Sequence, residues 1–215
     1  MIKTIFNCVT PIQIYIFVVL VIALLFHSLK SENAKYLYVI LLLNAATEFI
    51  SILLMSKNKP IGFLINISVF FHNCLWLSLL LKSVKKRDIY RLIFILFVVS
   101  YLLIFYFDGV SDFSCLAFVF GAFIYLIIFI VESFYELQRE AFSFFLSNQF
   151  LLLSAPILFF IGLSAALGFQ DRALIRTVLF SNVSLYEFIA YFVNIIYYTL
   201  IIVYIYREKK LKDAE

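Results

Sequence analysis

The chain has 215 residues, of which 65% are hydrophobic and 14% are charged, and its formal net charge is +4. Soluble domains average roughly half apolar and about a quarter charged residues, so the composition excludes an ordinary soluble fold. Disorder is excluded too, because 20% of the residues are aromatic and few charges repel one another. The mean hydropathy of +1.07 indicates a chain that is solvated by lipid.

Seven apolar segments are long enough to be transmembrane helices, which need about 20 apolar residues each. They comprise residues 11–26, 36–55, 61–81, 89–107, 113–131, 145–169 and 184–206. These runs are continuous rather than alternating, which excludes a β-barrel. The sequence therefore predicts one all-α transmembrane domain over residues 1–215, a polytopic bundle of seven helices.

The basic residues of the connections predict the orientation of these spans. Twelve lysines and arginines lie on one side of the predicted bundle and five on the other. Cytoplasmic loops carry the excess of positive charge, which predicts an external amino terminus and a cytoplasmic carboxyl terminus. The basic connection after the third span, with Lys85, Lys86 and Arg87, is then a candidate surface for a cytoplasmic partner.

Polar residues in the second and third spans form the first candidate site. Ionisable groups at membrane depth are costly and usually functional. Glu48 lies near the outer end of span two, at a depth similar to that of His72 and Asn73 in span three. We expect Glu48 to bond to His72 or Asn73, as a proton-sensing or ligand-sensing pair. The alternative is a structural hydrogen bond between neighbouring helices.

A second candidate site follows one face of the last span. Glu187, Tyr191, Asn194 and Tyr198 recur at helical spacing and form a stripe that starts near the outer surface. Two interpretations fit the stripe. It could be a packing face, in which the tyrosine hydroxyls bind carbonyl groups, or it could line an outward-facing pocket with Glu187 at its mouth.

The sixth span contains residues that predict a bend and close helix packing. Pro156 removes a backbone hydrogen bond, and Ser154 is expected to satisfy a freed carbonyl. Gly162 and Ala166 have a spacing that lets another helix approach closely, as do Ser164 and Gly168. Both a hinge and a static bundle fit this pattern.

Motifs that carry enzyme chemistry are missing from the sequence. The chain has two histidines, His27 and His72, and no His-Glu-x-x-His motif, so no metal site is predicted. It has neither a Gly-x-Ser-x-Gly elbow nor a glycine-rich phosphate loop. We therefore expect a non-enzymatic protein without a cofactor.

One family resemblance covers nearly the whole chain. It is carried by the segment 41–50 (LLLNAATEFI), the basic connection after span three and the segment 153–162 (LSAPILFFIG). With these segments the chain resembles small uncharacterised seven-span membrane proteins of Bacteroidetes, some encoded beside sensor histidine kinases. The resemblance implies placement in a bacterial inner membrane and a signalling partner, and it implies no site residues.

The expected function is that of a receptor-like or accessory membrane protein. It would sense a small amphipathic ligand or the bilayer itself and signal to a cytoplasmic protein such as a histidine kinase. One alternative is a small transporter or channel with a polar path at the membrane midplane. Another is a structural subunit of a larger membrane complex. The partners expected are the lipid bilayer, a signalling protein or a second copy of the chain, and no nucleic acid.

Overall fold

The computed structural model describes residues 9–26, 31–83, 87–108, 112–169, 177–180 and 183–212. Its helices, in chain order, are α1 (Pro11–Phe26), α2 (Glu32–Met55), α3 (Gly62–Lys82), α4 (Arg87–Asp108), α5 (Cys115–Gln138), α6 (Phe142–Leu146), α7 (Asn148–Gly168) and α8 (Leu185–Lys212). Two short strands, β1 (Val178–Phe180) and β2 (Val183–Ser184), precede α8.

Six of these helices are long and apolar enough to cross a membrane: α2, α3, α4, α5, α7 and α8. Helix α1 is equally apolar but has 16 residues, about 24 Å at 1.5 Å per residue. That is less than the ~30 Å of a bilayer's hydrocarbon core. The chain is therefore a helical bundle of membrane-protein type with six full-length candidate spans and a shorter apolar helix.

The helices form a closed ring with one helix outside it. Helices α1, α2, α3, α5, α7 and α8 each pack on the next, and α8 returns to α1. Helix α4 packs on the outer side of α3 and α5. The core between the ring helices is strongly aromatic, and its largest fully buried side chains include Trp76, Tyr125, Tyr197 and Phe160.

Serine side chains begin several helices, and one of them divides a predicted span. Ser31 accepts a hydrogen bond from the Ala34 amide, and Ser147 accepts one from the Phe150 amide, so both satisfy amides at a helix start. Ser147 has an extended backbone and separates α6 from α7. The prediction of one helix over residues 145–169 is therefore corrected to a short helix, a break and a longer helix.

The connection between α7 and α8 contains a short β-hairpin. Strands β1 and β2 pair antiparallel, with Val178 opposite Ser184 and Phe180 opposite Val183. The fold class is all-α, and this short hairpin was not predicted. The hairpin connects directly to the first turn of α8, since the Leu185 amide donates to the Thr177 carbonyl at 2.9 Å.

Helices α7 and α8 are antiparallel and approach closely at one point. A Cβ added to Gly162 would collide with Cγ1 of Val193, and Ala166 is completely buried. Gly168 differs from the expectation, because an added Cβ would meet nothing within 4 Å. The close approach to α8 therefore occurs at Gly162, and Gly168 is not part of it.

Pro156 lies buried inside α7, as the sequence requires. Because proline has no backbone N–H, the Leu152 carbonyl four residues earlier lacks its usual helical donor. The Ser154 hydroxyl instead donates to Leu151 at 2.9 Å, so the expected compensation by Ser154 is corrected. The Tyr125 hydroxyl of α5 donates to the Leu153 carbonyl at 2.6 Å, which joins α5 to this part of α7.

Candidate functional site

A cavity of about 520 Å³ opens at the end of the bundle where α1, α3 and α8 begin. Its volume lies in the range of about 300–1,000 Å³ that is typical of small-molecule sites. The polar side chains that line it are Thr10, Gln13, Asn44, Thr47, Glu48, Ser51, Ser68, His72, Tyr186, Glu187, Tyr191, Asn194 and Tyr198. Such a concentration of polar groups within an apolar bundle makes this cavity the candidate functional site.

Glu48 is held from helix α1 rather than from helix α3. The Gln13 side chain donates from Nε2 to Oε2 of Glu48 at 2.7 Å. The same Gln13 accepts from the Thr10 amide through Oε1 at 2.8 Å, and its side chain is almost fully buried. The first turn of α1 therefore fixes the position of the carboxylate on α2.

Asn44 is the polar centre of the cavity wall. Its Nδ2 donates to the Tyr198 hydroxyl at 3.0 Å, and its Oδ1 lies 3.0 Å from Nδ1 of His72. One amide thereby joins α2 to α3 and α8. The expected bond between Glu48 and His72 or Asn73 is not formed among the described residues. Instead, His72 is hydrogen-bonded to Asn44, and Glu48 is hydrogen-bonded to Gln13.

His72 lies at the inner end of the cavity. An amide oxygen can only accept, so Nδ1 carries the proton and Nε2 is left as an acceptor. Nε2 is buried and has no hydrogen-bond partner within the described part of the chain. The centroid of the imidazole ring lies 6.4 Å from the ring centroid of Trp76 and 6.2 Å from that of Tyr197. An aromatic cluster therefore closes the cavity at its inner end.

The stripe predicted on the last span does line this cavity. Glu187, Tyr191, Asn194 and Tyr198 all contribute to its wall. Asn194 donates to the Ala190 carbonyl of its own helix at 2.8 Å, so its amide stays on α8. Tyr198 is buried and bonded across the bundle to Asn44. The stripe thus combines a pocket lining with one packing contact.

Glu187 has a structural contact at the mouth of the cavity. Its Oε2 accepts from the Ser184 amide at 2.8 Å, and its own amide donates to the Ser184 hydroxyl at 3.2 Å. This reciprocal pair is a capping box, for which Ser-x-x-Glu is the sequence signature. The sequence carries that signature at residues 184–187.

Asn73 lies outside the cavity lining, contrary to its expected pairing with Glu48. It is buried against Gly121 of α5, where a Cβ would lie 2.8 Å from Cγ of Asn73. Neither polar atom of its amide has a hydrogen-bond partner within residues that the structure describes. Asn73 is therefore a helix-packing residue at the contact of α3 and α5.

Several cavity residues were not identified from the sequence as site residues. Gln13 interrupts an apolar helix two residues after Pro11, and this isolated polar side chain was the available signal. Thr47 donates to Ser68 at 2.7 Å, across α2 and α3. Small hydroxyl residues are common within membrane helices, so their grouping became visible only when the helices were placed together.

The basic connection after α3 is described only in part. Lys85 and Lys86 lie outside the described residues, and Arg87 begins α4. Just before this connection, Lys82 forms a 2.8 Å ion pair with Glu32 at the start of α2. This end of the bundle is opposite to the cavity mouth, because α3 begins at the mouth and ends at Lys82.

Among the residues that the structure describes, no three His, Cys, Asp or Glu side chains are grouped as metal ligands. The lining consists of two carboxylates, amides, hydroxyls, an imidazole and apolar side chains. No family model matches the chain, and comparisons with curated proteins and with solved structures also found no match.

Proposed function

We propose that the protein is a receptor-like or accessory membrane protein that binds a small amphipathic molecule in this cavity and signals to a cytoplasmic partner. The observation that carries the proposal is the polar lining, which runs from Thr10 and Glu187 at the mouth to His72 in the core. Polar groups are expensive inside an apolar bundle unless they are bonded or serve a ligand. Here Glu48 and His72 each retain capacity for a further hydrogen bond.

The proposed topology gives the cavity an external opening. In it, α1 crosses the membrane with the six longer helices, with the amino terminus outside and the carboxyl terminus in the cytoplasm of a bacterial cell. The excess of lysine and arginine at the opposite end from the cavity supports this orientation. A ligand would then enter from outside or from the outer leaflet.

Helix α8 offers a physical route from the cavity to the cytoplasmic surface. It is a continuous helix of 28 residues, about 42 Å long, with Tyr198 in the cavity wall and Lys209 and Lys210 near its end. Ligand contacts at Tyr191 and Tyr198 would change how α8 packs against α1 and α7. A partner at the tail, or at Lys85, Lys86 and Arg87, would respond to that shift.

The closed inner end of the cavity favours binding over conduction. Trp76 and Tyr197 are completely buried beyond His72, and the Trp76 indole donates to the Tyr197 hydroxyl at 3.1 Å. A channel would need a polar path through this aromatic cluster.

Two alanine-to-phenylalanine variants test the proposal with a matched control. Ala190 lines the cavity, so Ala190→Phe fills it without removing a polar group. Ala46 lies exposed on the outer face of α2, so Ala46→Phe adds the same ring outside. Wild type and both variants are crosslinked in membranes of the native host, purified and compared by quantitative mass spectrometry.

We expect one signalling protein to crosslink to the tail or to the connection after α3, with a yield changed by Ala190→Phe and unchanged by Ala46→Phe. Purification of the chain alone, or equal yields in all three proteins, would contradict signalling through a partner. Solute flux in proteoliposomes that is lost in Glu48→Gln would establish the transporter instead. A constant set of partners that is unchanged by Ala190→Phe would indicate a structural subunit.

A further inference from the structure

We infer that the ligand of the cavity is an organic cation, a protonated amine that carries an apolar group. This inference rests on the proposed function, because it names the chemical class that the same cavity takes. It is carried by three features of the lining: the sign of its charges, the free oxygen of Glu48 and the aromatic and aliphatic walls.

The charged residues of the lining are all acidic. Glu48 and Glu187 line the cavity, and no lysine or arginine does so within the described chain. Lys57 and Lys59 lie at the same end of the bundle, but they are exposed and are not part of the lining. A low-dielectric cavity with one sign of charge concentrates ligands of the opposite sign, so its field attracts cations and repels anions.

Glu48 provides a defined position for an ammonium group. Its Oε2 is occupied by the Gln13 amide, whereas Oε1 has no hydrogen bond among the described residues, and Glu48 lines the cavity. The bond from Gln13 fixes the rotamer, so the free oxygen is held in place before a ligand arrives. Glu187 differs because it is exposed at the mouth, where water weakens its attraction for a cation, and its Oε2 serves the capping box. Glu48 is therefore the anchor, and Glu187 contributes at the entrance.

The remaining walls suit the apolar part of such an amine. Phe118, Phe159 and Tyr198 line the cavity together with Ile65 and Val69. Aromatic faces attract cations as well as apolar groups, because a ring carries negative charge on its faces. A small polar amine without an apolar group would leave these aromatic and aliphatic walls in contact with trapped water.

An anionic ligand fits the same lining poorly. Its negative group would approach Glu48 in a medium of low dielectric, where repulsion is strong. The Asn44 and Asn194 amides each already donate one hydrogen bond within the protein, and no lysine or arginine of the described chain lines the cavity to neutralise such a ligand. A neutral ligand would leave the free oxygen of Glu48 without a charged partner.

Three molecules with one carbon skeleton separate these classes: 4-phenylbutylamine, 4-phenylbutanol and 4-phenylbutyrate. Binding to the purified full-length protein in lipid nanodiscs is followed by tryptophan fluorescence. Trp76 is the only tryptophan of the chain, and its ring centre lies 6.4 Å from that of His72. Trp76→Phe shows how much of the signal arises at this position, and the shift in thermal unfolding midpoint provides a second measurement.

We expect the amine to bind about tenfold or more tightly than the alcohol, the factor that one hydrogen bond between charged groups supplies. The carboxylate should bind most weakly. Glu48→Gln keeps an oxygen that accepts from Gln13 and removes the charge, so it should abolish the preference for the amine. Glu187→Gln can retain the capping box and should leave most of the preference.

The outcomes distinguish the inference from the proposed function. Equal affinity for the three molecules, or a preference that survives Glu48→Gln, overturns the assignment of an organic cation but leaves a ligand cavity. If none of the three binds, and Ala190→Phe also leaves the crosslinked partner unchanged, both the ligand class and the sensing function are wrong.

Discussion

Nδ1 of His72 lies 3.0 Å from Oδ1 of Asn44, and the other end of the same amide donates to Tyr198 at 3.0 Å. One side chain therefore uses its acceptor and its donor on two different helices. This arrangement fixes the proton of His72 on Nδ1 and places its free acceptor at the inner end of the cavity. The polar wall is consequently a set of mutually oriented groups rather than independent side chains.

Replacement of Asn44 by leucine should destabilise the protein more than the same change at Asn194. Asn44→Leu removes two interhelical hydrogen bonds, each worth about 0.6 kcal/mol on average in membrane bundles. Asn194→Leu removes a bond within α8 only. Reversible unfolding in bicelles measures both variants. Equal losses of unfolding free energy would mean that Asn44 does not join the helices.

Gln13 should be needed to attach α1 to the bundle. Gln13→Met has a similar length but no donor, so it leaves Oε2 of Glu48 unbonded and should lower the unfolding free energy by about 0.5–2 kcal/mol. Glu48→Gln is the matched control, because the new amide oxygen still accepts from Gln13. A loss as large in Glu48→Gln would show that the charge, rather than this hydrogen bond, stabilises the contact.

The helical bundle could be predicted from the sequence because long apolar runs need no partner to be recognised. Six helices of spanning length lie where such runs occur. The exceptions depend on local features that hydropathy averages out. Ser147 caps α7 and splits one predicted span, and a two-stranded hairpin replaces part of the last connection. A window of about 20 residues is too wide to resolve either feature.

The candidate site was only partly predictable, because the sequence indicates how deep a residue lies in the membrane but not how its helix is rotated towards its neighbours. Helical spacing placed Tyr191, Asn194 and Tyr198 on one face, and they line one cavity. Spacing within a helix says nothing about which neighbour that face meets. The predicted depths of Glu48 and His72 are similar. The rotation of α3 about its axis, however, brings His72 into hydrogen-bonding distance of Asn44 and packs Asn73 against Gly121. Gln13 reaches Glu48 through a contact of helices that sequence alone does not define.

Gly162→Ala should be destabilising because α7 and α8 touch at this position. The added methyl group would collide with Cγ1 of Val193, and overpacking of this kind costs typically 1–3 kcal/mol. Val193→Ala removes the obstructing methyl groups and should restore part of the loss in the double variant. Gly168→Ala is the control, since its Cβ meets nothing within 4 Å. Thermal unfolding should show a loss at Gly162 and none at Gly168.

Gly121→Ala should separate α5 from α3 in the same way. Its Cβ would lie 2.8 Å from Cγ of Asn73 and 3.4 Å from Cβ of Asn73. Asn73→Ala removes the closer atoms and retains only the contact at ordinary packing distance. We expect a loss of about 1–3 kcal/mol in Gly121→Ala and a smaller loss in the double variant than the sum of the two single losses. Additive losses would show that the two residues do not contact each other.

Glu187 should show different behaviour with glutamine and with alanine. Glu187→Gln retains a side-chain oxygen for the Ser184 amide, whereas Glu187→Ala removes the acceptor and leaves half of the capping box. The alanine variant should lose about 0.5–1 kcal/mol of unfolding free energy, as lost helix caps commonly do, and should exchange the amide hydrogens of the first turn of α8 faster. Hydrogen exchange followed by mass spectrometry tests both variants. Equal protection in wild type and Glu187→Ala would show that Glu187 does not cap α8, and its carboxylate would then be free to contact a ligand at the cavity mouth.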